Sequence, residues 1–261
     1  MSLPLYAWCS IDDYFPENNS TSSNYGNTGL LELPNARFMR EGTIKLGFSS
    51  SYPNEFTFLS ASPFTWFEAT YRYSEIKNLL YGQSSFSGNQ TWKDKGVDVK
   101  FKVMDESFLR PSVAFGMRDI AGTGAFSSEY FVASKGLGNL DVTLGIGWGN
   151  IGQLGNVSNP LKSLSNNFIN RSSDTGQGGT FNYSNWLSGE RSAIFGGLEY
   201  KIKKYGLRFK LEYDTSMPDV GFNKRLPVKV DSRFNIGLTY GLGAIGSQTG
   251  GVLPAAFMEI S

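Results

Sequence analysis

The side chains that could do chemistry in this 261-residue sequence are carboxylates, ammonium groups and guanidinium groups, since there is no histidine and only one cysteine, Cys9. Serine–histidine–aspartate and cysteine–histidine nucleophiles, histidine-ligated metals and cysteine zinc sites are thereby excluded. Two acid pairs, Glu68 with Asp98 and Glu199 with Glu212, have the residue types of a glycosidase, whose two carboxyls stand about 5–9.5 Å apart. Each acid has Lys or Arg neighbours, so ion pairing is the simpler account. The segment "RDIAGTGAFSSEY", residues 118–130, holds Gly122 and Gly124 in a loop-forming context but lacks the G-x-x-x-x-G-K-S/T order of a phosphate cradle, so a nucleotide is not expected there. It reads as a loop folded inward or packed on the rim, fixed by charge-assisted hydrogen bonds from Arg118, Asp119 and Glu129; contact with sugar is the alternative use of those groups. The sequence predicts no catalytic residue, no cofactor, no metal and no enzyme activity.

The elements that hold these groups are strands. In "KGVDVKFKV", Val97, Val99, Phe101 and Val103 alternate with Asp98, Lys100 and Lys102, so an extended chain has one apolar and one charged face. The same period recurs around Ile44–Phe48, Phe67–Tyr73, Val113–Met117, Leu140–Trp148, "AIFGGLEYK", Leu207–Tyr213 and Phe234–Tyr240, with weaker alternation over residues 55–60 and 127–135. About ten strands follow. Abundant turn formers and aromatics, 31 Gly, 20 Phe and 13 Tyr, also favour an all-β chain. Connections alternate in length, with 74–94, 150–192 and 215–232 long and "MDESFLR", "KGLGN" and "KKYG" short. An antiparallel transmembrane β-barrel sorts its loops in this way, with short periplasmic turns and long extracellular loops. A soluble sheet would instead turn its valines inward. On the barrel reading, Glu68, Arg72, Asp98, Lys100, Lys102, Glu199, Arg208, Lys210 and Glu212 line a polar, charged lumen, and Phe67, Tyr73, Trp148, Tyr200, Tyr213 and Tyr240 sit where interfacial aromatics belong.

Acids and bases nearly balance at a net charge of +1, so nucleic acid is not an expected partner. No apolar run reaches the roughly 20 residues of a membrane-spanning helix, while a mean hydropathy of −0.25 is also what alternating strands average to. "MSLPLYAWCS" has no basic residue before its apolar patch and does not qualify as a secretory signal as written. Residues 1–23 read as a lead without order, 24–240 as the barrel domain, and 241–261 as an irregular tail or truncated strand.

The blocks "NYGNTGLLELPNARFMREGTIKLGFS", "DKGVDVKFKVMDES", "PSVAFGMRDIAGTGAFSSEYFVASK", "LDVTLGIGWG" and "FGGLEYK" resemble the YjbH-like family of outer-membrane proteins encoded with exopolysaccharide and capsule genes in Gram-negative bacteria. The resemblance runs over roughly residues 24–240. It implies a bacterial outer-membrane barrel taking part in exopolysaccharide or capsule production and export, with outer-membrane lipid, the exopolysaccharide and periplasmic polysaccharide-export proteins as partners, and it brings no catalytic residues. Family members are longer than this chain and carry a signal sequence. The competing reading is a soluble or periplasmic β-sandwich that binds carbohydrate through loop aromatics such as Tyr81, Phe86, Trp92 and Trp186.

Overall fold

The computed structural model describes residues 21–172, 185–217, 232–241 and 257–260; residues 1–20 of the 1–23 lead and most of the tail after Gly241 lie outside them. The strands are β1 (Thr43–Ser51), β2 (Asn54–Phe64), β3 (Phe67–Leu80), β4 (Thr91–Met104), β5 (Ser112–Arg118), β6 (Ser128–Leu137), β7 (Leu140–Gly149), β8 (Val157–Ser158), β9 (Arg191–Ile202), β10 (Leu207–Tyr213), β11 (Phe234–Gly241) and β12 (Phe257–Ile260). Each of the ten strands predicted from period-2 alternation is present. Two short ones, β8 and β12, carry too few residues to show a period. All pair antiparallel in chain order, except that β7 pairs with β9 while β8 pairs with β9 from the side. No helix among the described residues is long and apolar enough to cross a membrane.

One loop differs from its predicted extent. Residues 74–94 read as a long connection, yet β3 and β4 run on in register from Ser74↔Asp94 to Ile76↔Trp92. What is left is 81–90, with one helical turn at Ser84–Ser87. Ser74, Glu75, Lys77 and Asn78 mask the alternation there, although Ile76 is buried beside Tyr25, Phe56 and Phe126, with Leu79 and Trp92 packed against that cluster. The other long links, which follow β5, β7 and β10, leave from the same end of the meander as 81–90, whereas the turns at 65–66, 105–111, 138–139 and 203–206 lie at the opposite end.

Polarity across the sheet is the reverse of a soluble core. Lys100 and Glu212 are 1% and 0% exposed, while Leu46, Leu144 and Ile236 are 67%, 61% and 57% exposed. In β4 it is Asp98 and Lys100 that are buried and Val103 that is exposed. The sheet bends strongly around its charged face: Ser22, an interior residue, is touched by Lys45 of β1 and Lys210 of β10. Among the described residues no strand pairing joins β1 to β12, so the sheet is curled but not closed.

Candidate functional site

The concave side of the sheet is occupied by the chain's own residues 21–40, which form no strand but only two isolated bridges, Ser22↔Thr28 and Gly29↔Pro34. Irregular backbone shut away from water must find partners for its N–H and C=O groups, and the inward charges of the strands supply them. Glu68 accepts the Thr28 N–H at 2.6 Å, the Thr28 hydroxyl at 2.7 Å and the Met39 N–H at 3.3 Å. Glu212 accepts three consecutive N–H groups, from Leu31, Glu32 and Leu33, at 2.9, 2.9 and 3.2 Å. Cations serve the carbonyls: Lys100 donates to Thr28 and Arg37, Lys210 to Leu30, and Arg118 to Glu32. Side-chain charges thus do for this segment what a ladder of backbone hydrogen bonds does for a strand.

Shape fixes the plug as well. Leu33, Ala36 and Phe38 join Ala114, Tyr130, Val132, Ile151 and Phe195 in one apolar cluster. Gly197 and Gly237 leave room for Leu30 and Leu31; a Cβ on either glycine would stand 2.7 or 2.4 Å from a leucine methyl carbon. Arg37 clamps the end nearest the short turns, with Nε and Nη2 on the two oxygens of Asp141 at 2.8 and 2.9 Å and Nη1 on Glu106 at 2.5 Å. Two donors on one carboxylate make a strong, directional pair, and the Arg37 and Lys135 cations hold the Glu106 carboxyl below its ordinary range against the effect of burial.

At the other end Tyr25 is held in a cage. Its ring stacks on Phe56 and meets Phe126 edge-on, and the guanidinium groups of Arg118 and Arg72 lie 4.1 and 4.9 Å from its centre. Nearby, Glu32 takes a hydrogen bond from Asn24 at 2.6 Å. Burial, reinforced by the charge of Asp214, pushes its carboxyl from 4.5 up to about 8. A carboxyl with a raised folded-state pKa favours the folded form below its unfolded pKa, and that benefit is lost as pH rises toward the folded value. Stability against urea in detergent micelles is therefore expected to fall between about pH 4.5 and 8, and the fall should be smaller in Glu32→Gln; an unchanged profile would show that Glu32 does not titrate in this window.

Of the residues read as lumen-lining, Glu68, Arg72, Asp98, Lys100, Glu199, Arg208, Lys210 and Glu212 all point inward and are buried. Lys102 differs: half-buried toward the short-turn end, it pairs with Asp105 at 2.9 Å. The acid pairs considered for glycosidase chemistry go to separate partners. Glu68 serves the plug and Lys100, Asp98 pairs with Arg72 at 2.7 Å, Glu199 pairs with Arg208 at 2.7 Å, and Glu212 serves the plug.

Above the plug, on the long-loop side, a cleft of about 810 Å³ opens between loop 119–127 and the segments 149–155, 169–172 and 185–191. Glu129 stands at its wall, accepting from Arg171 Nη1 at 2.7 Å and Nη2 at 3.1 Å and from the Leu187 N–H at 2.9 Å, and so ties the long loop to β6. Asp119, in the left-handed region at φ 56°, accepts the Phe126 N–H through one oxygen; burial and the neighbouring charge of Asp94 raise its carboxyl to about 7. Among the residues around the cleft, Nε and Nη1 of Arg118, Oδ1 of Asp119 and both side-chain polar atoms of Asn150 are shut off from solvent without a protein partner. Trp186, 37% exposed, stands at the edge. Of the other loop aromatics, Trp92 packs against the Tyr25–Phe56–Phe126 cluster, and Tyr81 and Phe86 are exposed on 81–90.

A family model described as exopolysaccharide biosynthesis protein YbjH matches residues 21–254. The chain belongs to this YjbH family. A member from Escherichia coli strain K12, named uncharacterized lipoprotein YjbH, is 39% identical over 241 residues, which are 92% of this chain and 34% of that protein. The chain thus spans about a third of the length of that YjbH relative. No solved structure matches it. The plug in this YjbH-family chain was invisible to periodicity, because 21–40 has no regular period. Its signal lay on the opposite side of the contact, in inward rows that carry full charges of both signs; such rows need partners, and the plug's backbone provides them.

Proposed function

We propose that this chain forms the wall of an outer-membrane β-barrel whose interior is filled by residues 21–40, and that it serves exopolysaccharide production and export at the cell surface. The supporting observation is polarity. Leucine, isoleucine and phenylalanine side chains on β1, β7, β9, β10 and β11 face outward and are exposed, while the ionic rows turn inward and are buried. Water would penalise the outward rows at about 25 cal/mol per Å², whereas hydrocarbon would not. Stacked aromatics at the short-turn end, Phe64 on Trp66 and Trp66 beside Phe67 and Phe101, suit the interfacial belt of such a wall. Membrane attachment also agrees with the name lipoprotein given to the E. coli relative. With the interior packed, the wall acts in anchoring or assembling the export machinery, together with periplasmic polysaccharide-export proteins, rather than as an open pore. No enzyme step and no cofactor are assigned to it.

Spin labels on cysteines placed at Leu46, Leu144 and Ile236, with Cys9 replaced by serine, test the reading in lipid vesicles. These sites should be accessible to oxygen and shielded from a water-soluble nickel reagent. Labels shielded from both reagents by a second protein layer, or open to nickel, would favour the soluble sandwich.

A further inference from the structure

Eleven of the described strands follow one another around the wall, with β8 off that path, and neighbours pair antiparallel throughout. The odd number has a consequence at the seam. β1 and β12 both run from the short-turn end to the long-loop end, so pairing them with each other would make a parallel seam. Pairing either with an edge of a second copy inserted the same way would do so too. Barrels of the bacterial outer membrane are antiparallel with an even number of strands. All nine residues of β1 are matched by β2, and no described strand lies on its other side. Its outer row, Ile44, Leu46 and Phe48, is 65%, 67% and 64% exposed. On the barrel reading this free edge therefore stands in hydrocarbon, where unpaired N–H and C=O groups are very costly.

The inner row of β1 adds a charge. Lys45 is 9% exposed, donates to the Ser22 hydroxyl at 2.5 Å and makes no ion pair among the described residues; Glu68, on the inner face of β3, is paired with Lys100. Buried charges are normally paired. Directly opposite residues on neighbouring strands stand about 4.5–5.5 Å apart at Cβ, so a carboxylate on a strand beside β1 would meet this ammonium group. Lys210 of β10 also reaches Ser22, which brings the far rim of the opening near β1 and favours the smallest odd number of added strands. We propose that the free edge of β1 takes up one extended segment of a partner polypeptide, antiparallel to β1, with an acidic residue facing Lys45 and apolar residues beside Ile44, Leu46 and Phe48. Such an added strand gains affinity from main-chain hydrogen bonds and specificity from its alternate side chains. It would bring the wall to twelve strands with antiparallel pairs throughout. This assignment rests on the proposed barrel wall and names a partner for its open edge.

The test uses the full chain with Cys9 replaced by serine, in detergent micelles and in lipid vesicles. The probes are synthetic peptides of about ten residues, the length of a membrane strand, alternating leucine and threonine, with glutamate, glutamine or lysine at the central inward position and a spin label at the amino terminus. The glutamate peptide should bind at least tenfold more tightly than the lysine peptide, and its label should lie near a second label at Ser51 and far from one at Thr43. Lys45→Gln should abolish the preference for glutamate. Lys45 is buried and its variant is at risk of misfolding, so the peptide series on the unchanged side chain is decisive by itself. Binding of no peptide, equal binding of all three, or the opposite orientation would overturn the inference. Rapid disulfide formation between cysteines at Leu46 and Met258, within one chain or between two copies, would also overturn it, because a disulfide needs Cα atoms about 4.4–6.8 Å apart and would show β12 filling the edge of β1. A wall that inserts into vesicles yet takes up no peptide removes only this assignment, whereas failed insertion removes the membrane reading.

Discussion

Glu212→Ala is expected to release the plug from the wall. The carboxylate accepts three successive backbone N–H groups of residues 31–33, and a fourth hydrogen bond from Asn235 Nδ2 at 2.9 Å. Alanine leaves those donors facing a dry space, at about 1–3 kcal/mol for each orphaned N–H. Glu212→Gln is the informative companion, because an amide keeps one acceptor oxygen but turns an NH₂ group toward N–H donors; its loss should be intermediate. Asn235→Ala, which removes a single donor from a well-served carboxylate, should cost less than either. The measurements are urea midpoints in detergent and the rate at which protease cuts within 21–40. Equal midpoints for Glu212→Ala and wild type would mean that Glu212 does not hold the plug.

The strands were legible because alternation is a local property. Each apolar residue of "LRFKLEY" sits two positions from the next, and β10 follows from that alone. The same alternation puts Arg208, Lys210 and Glu212 on one face, and all three are buried on the concave side of the sheet. What lies against that face depends on residues some 180 positions away: Leu30 against Lys210, Leu31 against Glu212. No spacing rule links such partners. Alternation alone therefore assigns these charges to a wet lumen, whereas in the structure they meet the backbone of residues 21–40. Arg118, Asp119 and Glu129 stood out as a group because they bracket a glycine-bearing loop; that Asn150 lines the same cleft depends on the fold of a different loop. Its clue, an Asn directly after the Gly149 that ends β7, is one that most turns share.

Arg72→Met is expected to be strongly destabilising as well. Its guanidinium is fully buried, pairs with Asp98 at 2.7 Å and with the Ser74 hydroxyl at 3.1 Å, and lies about 5 Å from the ring centres of Tyr25 and Phe126. Asp98 in turn accepts the backbone N–H of Asp119, so one cation organises the wall, the aromatic cage of the plug and the loop at the cleft. Methionine approximates the volume but leaves Asp98 as an unpaired buried charge, a loss of about 3–5 kcal/mol. Arg72→Lys restores the charge without the planar fork or its stacking, so it should recover only part. A double-mutant cycle with Tyr25→Leu separates the two roles. Stacking predicts a coupling of about 0.5–2 kcal/mol, since removing Arg72 costs less once the ring is gone, whereas a purely ionic role predicts none. Zero coupling would confine Arg72 to the wall, and the plug would then be held by its backbone contacts to Glu68, Lys100, Lys210 and Glu212 and by the Arg37 clamp.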